Sequence, residues 1–178
     1  MEQLRGTTIV AVKKNNETVI AGDGQVTFSQ NVIMKNNAVK VRRIFNDKVI
    51  IGFAGGVADA FSLSSRFEEM LNKFSGNLMR SAVELATQFR RDEIARKLEA
   101  MMIVADKDKL LILSGNGEVV EPDGGICAIG SGGNYAYAAA KALAENTNFS
   151  AEEVAVKAME IASSICIYTN NHFTVEKV

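Results

Sequence analysis

One proline, one histidine, two cysteines and no tryptophan stand in a chain of 178 residues, and each shortage removes a class of protein. A single proline leaves no room for a proline-rich linker, and without tryptophan an aromatic-belted membrane protein is a poor fit. With His172 the only histidine, a His-based catalytic triad is almost excluded, and His172 reads as a surface or packing residue. Cys127 and Cys166 both lie in apolar runs, so they read as buried, reduced thiols of a cytosolic protein. No cluster of cysteine and histidine offers a transition-metal site. A net charge of −1 gives no electrostatic reason to expect nucleic acid or an anionic membrane as partner. The apolar runs fall short of a membrane span, and Met1–Gly6 is too short and too polar for a signal peptide. What remains is 47% apolar and 23% charged, the composition of an ordinary globular domain with a sizeable core.

Strand and helix signals alternate in blocks. Thr7–Val12 and Thr18–Ala21 flank the turn-rich Lys13-Lys14-Asn15-Asn16-Glu17, which predicts an antiparallel hairpin. Gly22-Asp23-Gly24 ends its second strand, and Gln25 to Asn37 reads as a loop or a short strand pair. Val39–Ile44 alternates again, with Lys40 inside the run, and Val49–Ala54 reads as a buried strand stopped by Gly55-Gly56. A helix follows from about Val57, with Phe67, Met70, Leu71 and Phe74 as its inner stripe, and a second from Leu78 to about Lys97. On that second helix Leu78, Ala82, Leu85, Ala86 and Phe89 face the core, and Arg90, Arg91, Asp92 and Glu93 face outward. Strands return at Met101–Ala105, Leu110–Leu113, Glu118–Glu121 and Ile126–Ile129. Gly130-Ser131-Gly132-Gly133 then opens an alanine-rich helix to about Asn146. Ser150-Ala151-Glu152-Glu153 is a capping box for a last helix with Val154, Ala158, Ile161, Ala162 and Ile165 inward, and Phe173–Val175 closes the chain as an edge strand. Helices in pairs between antiparallel strands predict an α+β fold, a four-layer α/β/β/α sandwich with two sheets face to face.

Four polar residues carry the chemistry. Thr7, preceded by Gly6, sits at the end of a β-branched strand rather than on a tail. Once the Gly6–Thr7 bond is cut, Thr7 holds a hydroxyl nucleophile beside a free α-amine, whose pKa of about 7.7–8.0 suits a general base. A Lys40 ammonium near them favours their deprotonated forms, and Asp23 holds that lysine charged and in place. Ser131 stands at a strand-to-helix glycine turn, and the N–H of Gly55, where a strand meets a helix N-terminus, suits an oxyanion. Separately, Asp23 reads as a turn residue, Lys40 as a solvated strand lysine and Ser131 as a helix N-cap. The turn at Gly130 also imitates a dinucleotide fingerprint, but Tyr135 replaces the third glycine and no acidic residue ends a strand some twenty positions on.

Taken together, Thr7–Val12, Ala21-Gly22-Asp23-Gly24-Gln25, Lys40-Val41-Arg42-Arg43, Gly52-Phe53-Ala54-Gly55-Gly56, Ala128–Gly133 and Ile165-Cys166-Ile167-Tyr168-Thr169-Asn170 resemble the HslV (ClpQ) family of bacterial proteasome-like proteases, over nearly the whole chain. The resemblance implies a fold of the N-terminal-nucleophile hydrolase type, with residues 1–6 a propeptide and residues 7–178 a single peptidase domain. It makes Thr7 the nucleophile, Asp23, Lys40 and Ser131 its supports, and the Gly55 N–H the oxyanion donor. It also implies a sodium ion on the backbone carbonyls of Ser163, Cys166 and Thr169, of which the first is often glycine in relatives. A cytoplasmic homo-dodecamer of two hexameric rings is implied, fed with unfolded polypeptides and activated by the AAA+ ATPase HslU, with no nucleotide on this chain. Two alternatives stay open at the level of sequence. One is a non-catalytic ring subunit, which would have no use for the polar set; the other is a small-molecule amidohydrolase, which needs pocket insertions that 178 residues hardly allow.

Overall fold

The computed structural model describes residues 4–29, 31–91 and 100–178. Its strands and helices run β1 (Leu4–Arg5), β2 (Thr8–Lys14), β3 (Glu17–Asp23), β4 (Val26–Phe28), β5 (Val32–Lys35), β6 (Val41–Ile44) and β7 (Val49–Gly55), then α1 (Val57–Lys73) and α2 (Leu78–Arg91). They continue with β8 (Ala100–Ala105), β9 (Leu110–Ser114), β10 (Val119–Val120), β11 (Ile126–Gly130), α3 (Gly133–Asn146), α4 (Ala151–Ile165) and β12 (Phe173–Lys177). Three antiparallel sheets result, ordered β11-β2-β3-β12, β10-β9-β8-β7-β6 and β1-β4-β5.

Strand alternation sorts the side chains into three cores. Val10, Val12, Val19 and Ala21 face α3 and α4, where Ala140, Val154, Ala158 and Ala162 meet them. Ile9, Ala11 and Ile20, one position out of phase, face Val41, Ile50, Ile103 and Leu110 of the second sheet. Ile51, Met102, Val104 and Leu111 on the far side of that sheet pack on Leu63, Phe67, Leu71, Leu85 and Phe89 of α1 and α2. Helix pair, sheet, sheet, helix pair is the predicted four-layer sandwich. Asn15 and Asn16, both at positive φ, make the two-residue turn that sets the β2–β3 register from Lys14↔Glu17 onward. Asp23 and Gly130 are brought to the same end of the first sheet, at the beginning of β2.

Of the two readings of the segment after Gly24, the strand pair forms, as β4–β5, and β1 joins it through Leu4↔Phe28 and Arg5↔Thr27. Several other expectations change. β6 begins at Val41, so Lys40 precedes the strand with its side chain buried while Val39 is exposed. Only Val119–Val120 of the expected Glu118–Glu121 strand pairs. On α4 the buried arc is Ala151, Val154, Ala155, Ala158, Met159 and Ala162, and both Ile161 and Ile165 are exposed. At 100° per residue Ile161 falls just outside that arc, beyond Val154, whereas Ile165 falls inside it and is exposed as the final residue of the helix. The Ser150 capping box forms: Ser150 Oγ accepts the Glu153 N–H at 3.2 Å and Glu153 accepts the Ser150 N–H at 2.8 Å. Those hydrogen bonds hold the Glu153 carboxyl below its ordinary pKa. The expected reach of the second helix to Lys97, with Asp92 and Glu93, lies outside the described residues.

Candidate active site

Thr7 stands one residue ahead of β2, only 7% exposed, with Gly6 behind it at φ 121°. Its hydroxyl donates to the Gly6 carbonyl at 2.5 Å, and its own carbonyl accepts the Ser131 N–H at 2.8 Å. Asp23 ends β3 and is 1% exposed. A carboxylate so deeply buried needs donors on all sides. Oδ1 accepts the Thr8 N–H at 2.8 Å and Lys40 Nζ at 3.0 Å, while Oδ2 accepts the N–H groups of Gln25 at 3.0 Å and Asn170 at 3.3 Å.

Lys40 completes the group. Its Nζ donates to Asp23 Oδ1, to the Gly6 carbonyl at 2.8 Å and to the Gln25 carbonyl at 2.5 Å. These are the three N–H bonds an ammonium has, so the buried charge is fully satisfied. Burial nevertheless lowers its pKa below the ordinary lysine value, partly offset by the Asp23 charge and its hydrogen bond. The Gly6 carbonyl oxygen therefore receives two donors at once, the Thr7 hydroxyl and the Lys40 ammonium. That pair polarises the Gly6–Thr7 peptide group.

Gly55, the last residue of β7, borders a groove of about 470 Å³ together with Gly6, Thr7 and Lys40. Its far wall is apolar, formed by Val26, Met34, Ala38, Val39, Phe53 and Phe61. Arg42 closes one side, its guanidinium 4.6 Å from the Phe61 ring centre and 5.4 Å from that of Phe53. The groove thus sets apolar side chains beside the Thr7 hydroxyl and Lys40.

Ser131 is exposed and enters through its backbone alone; the residue at the N-cap of α3 is Gly132, with no side-chain capping bond. The glycine turn around it is a cradle for the first residues of β2 rather than for a phosphate. A Cβ on Gly130, at φ 91°, would lie 2.0 Å from the Thr7 carbonyl oxygen. His172 is exposed, and both cysteines are buried and free, with burial pushing the Cys127 thiol up to about 12.

Sequence reasoning brought Thr7, Asp23, Lys40, Gly55 and Ser131 to one place, and missed Thr8, Gln25, the Thr169 side chain and Asn170. The available signal was polarity inside apolar runs: Thr8 and Thr169 are buried polar side chains, as is Gln25. For the expected ion, Ser163 lies in the last turn of α4 and Cys166 is its C-cap, with the Cys166 carbonyl accepting the Thr169 N–H at 3.1 Å. Carbonyl groups at a helix C-terminus are hard, partly negative donors, so the set fits a small monovalent cation chemically. Among the described residues no group of three or more His, Cys, Asp or Glu side chains could hold a metal.

The profile described as Proteasome subunit matches residues 4–178. The ATP-dependent protease subunit HslV of Caldicellulosiruptor saccharolyticus is 64% identical over 169 residues, spanning 95% of this chain and 96% of that one. Its counterpart in Listeria innocua is 58% identical, with 99% of each chain covered. The chain belongs to the HslV family of proteasome subunits. A solved HslV from Trypanosoma brucei superposes with a TM-score of 0.90 at 45% identity, covering 96% of this chain and 98% of that one. As an HslV-family member the chain is a threonine-type protease subunit of the N-terminal-nucleophile class. It is a protease, and the glycine cradle is part of the peptidase fold. Among the described residues no helix is long and apolar enough to cross a membrane.

Proposed function

We propose that the mature subunit begins at Thr7 and hydrolyses peptide bonds of unfolded polypeptides through that residue. The carrying observation is the single hydrogen-bonded group made by Thr7, the Gly6 carbonyl, Lys40 and Asp23. In the precursor the Thr7 hydroxyl attacks the Gly6 carbonyl carbon. An ester replaces the amide as the Thr7 nitrogen takes up a proton, and water then releases residues 1–6. The freed α-amine becomes the general base of the mature site. It removes the Thr7 hydroxyl proton as the oxygen attacks a substrate carbonyl. The Gly55 N–H holds the oxyanion, Lys40 keeps negative charge favourable at Thr7, and Asp23 keeps Lys40 protonated. The amine returns the proton to the leaving nitrogen, leaving an acyl ester that water hydrolyses.

Ser163, Cys166 and Thr169 would hold a sodium ion through their carbonyls, ordering the turn after α4. The HslV names of the relatives support an ATP-dependent role for this chain as well, with HslU as the cytoplasmic partner that unfolds and delivers substrate to a dodecamer of stacked hexameric rings. With no nucleotide site assigned to this chain, ATP is consumed by that partner. A non-catalytic ring subunit is disfavoured because a buried lysine and aspartate satisfied around Thr7 are costly to keep without chemistry. A small-molecule amidase is disfavoured by a groove open to an extended chain.

The test is an intact mass and N-terminal sequence together with a Thr7 series. Active protein should start at Thr7, Thr7→Ala should abolish hydrolysis with the fold intact, and Thr7→Ser should retain part of it. Full activity in a chain still carrying Met1, or in Thr7→Ala, overturns the assignment.

A further inference from the structure

The hydroxyls of Thr8 and Thr169 lie 2.6 Å apart in the interior, joining positions 161 residues apart in sequence. The Gly132 N–H donates to the same Thr8 Oγ1 at 2.9 Å. A Cβ on Gly132 would stand 2.3 Å from Thr8 Oγ1 and 2.6 Å from Thr169 Oγ1, so no side chain fits there while the pair is formed. The beginning of β2, the turn before α3 and the turn after α4 thus converge on one oxygen atom.

Thr8 is also the peptide neighbour of Thr7. While residues 1–6 are attached, Thr7 is held from both directions, because β1 pairs with β4 on its N-terminal side. Removal of that segment makes Thr7 a chain end, and chain ends fray unless tied down. Three anchors remain close to it: the bond from the Thr8 N–H to Asp23, the bond from the Ser131 N–H to the Thr7 carbonyl, and the two bonds of the Thr8 hydroxyl, with the Thr169 hydroxyl and from the Gly132 N–H. The first two fix the position of the Thr7–Thr8 peptide group. The third anchors the side chain of Thr8 and so sets the rotation of that group about its own axis.

Resting on the reading of Thr7 as nucleophile, we propose that Thr8 is a positioning residue whose hydroxyl, latched to Thr169 and the Gly132 N–H, keeps the Thr7 amine and hydroxyl aimed at the substrate carbonyl. Thr8 touches no reacting atom in this scheme. Valine has nearly the shape of threonine, but at position 8 it would leave the Gly132 N–H and the Thr169 hydroxyl buried without their partner.

The experiment compares Thr8→Val, Thr8→Ser, Thr169→Val and the Thr8→Val/Thr169→Val double variant. Each is used as fully processed, assembled protein, verified by intact mass and light scattering, on a short fluorogenic peptide. Misplacement of a terminal nucleophile by a fraction of an ångström should lower kcat on the order of 10²-fold while leaving KM in place. Thr8→Ser should recover most of the rate. The double variant should be no slower than the slower single one, because both substitutions break the same bond. Wild-type kcat in Thr8→Val, losses that multiply in the double variant, a Ser variant as slow as Val, or a rise in KM in place of a fall in kcat would each overturn the latch. Should Thr8→Val fail to assemble, Thr169→Val decides alone, and wild-type kcat in it overturns the proposal. A Thr7→Ala control separates the two readings: an active Thr7→Ala protein removes the nucleophile, whereas an inactive one beside a fully active Thr8→Val protein removes only the latch.

Discussion

Lys40 has no spare donor, since Asp23, Gly6 and Gln25 take all three N–H bonds. In the subunit beginning at Thr7, replacing it by alanine leaves the buried Asp23 carboxylate and the Gln25 carbonyl without their partner, and removes the charge beside Thr7. Peptide hydrolysis by Lys40→Ala should fall by about 10²–10⁴. Lys40→Arg should fail as well, because a planar fork cannot replace a point charge in this packed site. Near-normal turnover by either variant, measured at saturating peptide, would reduce Lys40 to a packing residue. The lowered pKa of Lys40 adds a pH signature. Activity should rise as the Thr7 amine deprotonates at about pH 7.7–8.0, then fall again below the ordinary lysine value of 10.5 as Lys40 loses its proton. Stability moves in the opposite sense over that upper window. There the unfolded chain still binds the proton that the folded chain has released, so stability gains with pH. The melting temperature of the wild type relative to Lys40→Met should therefore increase as the pH climbs toward 10.5. A constant difference would mean that Lys40 keeps its ordinary pKa.

At the level of elements, the glycine turn between β11 and α3 is what makes the start of β2 a site. Gly130 pairs with Thr8 across the sheet, and its bare Cα lets the Thr7 carbonyl lie against it. Gly130→Ala combines a left-handed backbone, which costs on the order of 1–3 kcal/mol, with a 2.0 Å clash on the carbonyl of Thr7, the proposed nucleophile. It should lower both the melting temperature and kcat. Gly124→Ala is the matched control: also at positive φ, with nothing within 4 Å of the added carbon, it should cost stability and leave kcat unchanged. Equal kcat in the two variants would show that the turn supports the fold but not the chemistry. The strand pair β4–β5 plays a different part. It receives β1 as a third strand, so sheet pairing carries the segment ahead of Thr7 past Lys40.

The whole molecule displays apolar residues that a lone subunit has no reason to show. Ile161, Ile165 and Ile167 are exposed at the end of α4 and in the turn beyond it, Ile167 at 76%, and Val32, Ile33 and Met34 are all exposed on β5. The Ile167 turn reaches the site directly, because the Gln25 side chain donates to the Ile167 carbonyl at 2.9 Å while the Gln25 carbonyl accepts from Lys40. Covering these residues by neighbouring subunits would therefore bear on the geometry around Lys40. Light scattering should give a dodecamer, and activity per subunit should drop on dilution below its assembly range. ATP-bound HslU should stimulate cleavage of a small peptide that needs no unfolding; a bias of about 2.7 kcal/mol toward the competent state corresponds to a gain of up to a hundredfold. Equal rates with and without the ATPase would leave it only as a feeder of substrate.

Local chemistry carries a long way in this protein. Alternation in Thr7–Val12 and Val49–Ala54, the Asn15-Asn16 turn, the Ser150 capping box and the stripe of α2 each follow from period and propensity, which act between near neighbours. The order of those blocks was enough for a four-layer sandwich, and polar residues set in apolar runs marked Thr7, Asp23 and Lys40. Local chemistry could not say that Ile161 and Ile165 would face outward, since helical spacing gives an arc but not the neighbour that covers it. Nor could it see that Lys40 stands outside its strand with every N–H engaged, or that Ser131 serves through its backbone. Thr8 and Thr169 meet only because the packing of sheets and helices brings distant parts of the chain to one edge. A hydrogen bond depends on a distance of about 3 Å, and at a separation of 161 residues that distance is set by packing alone.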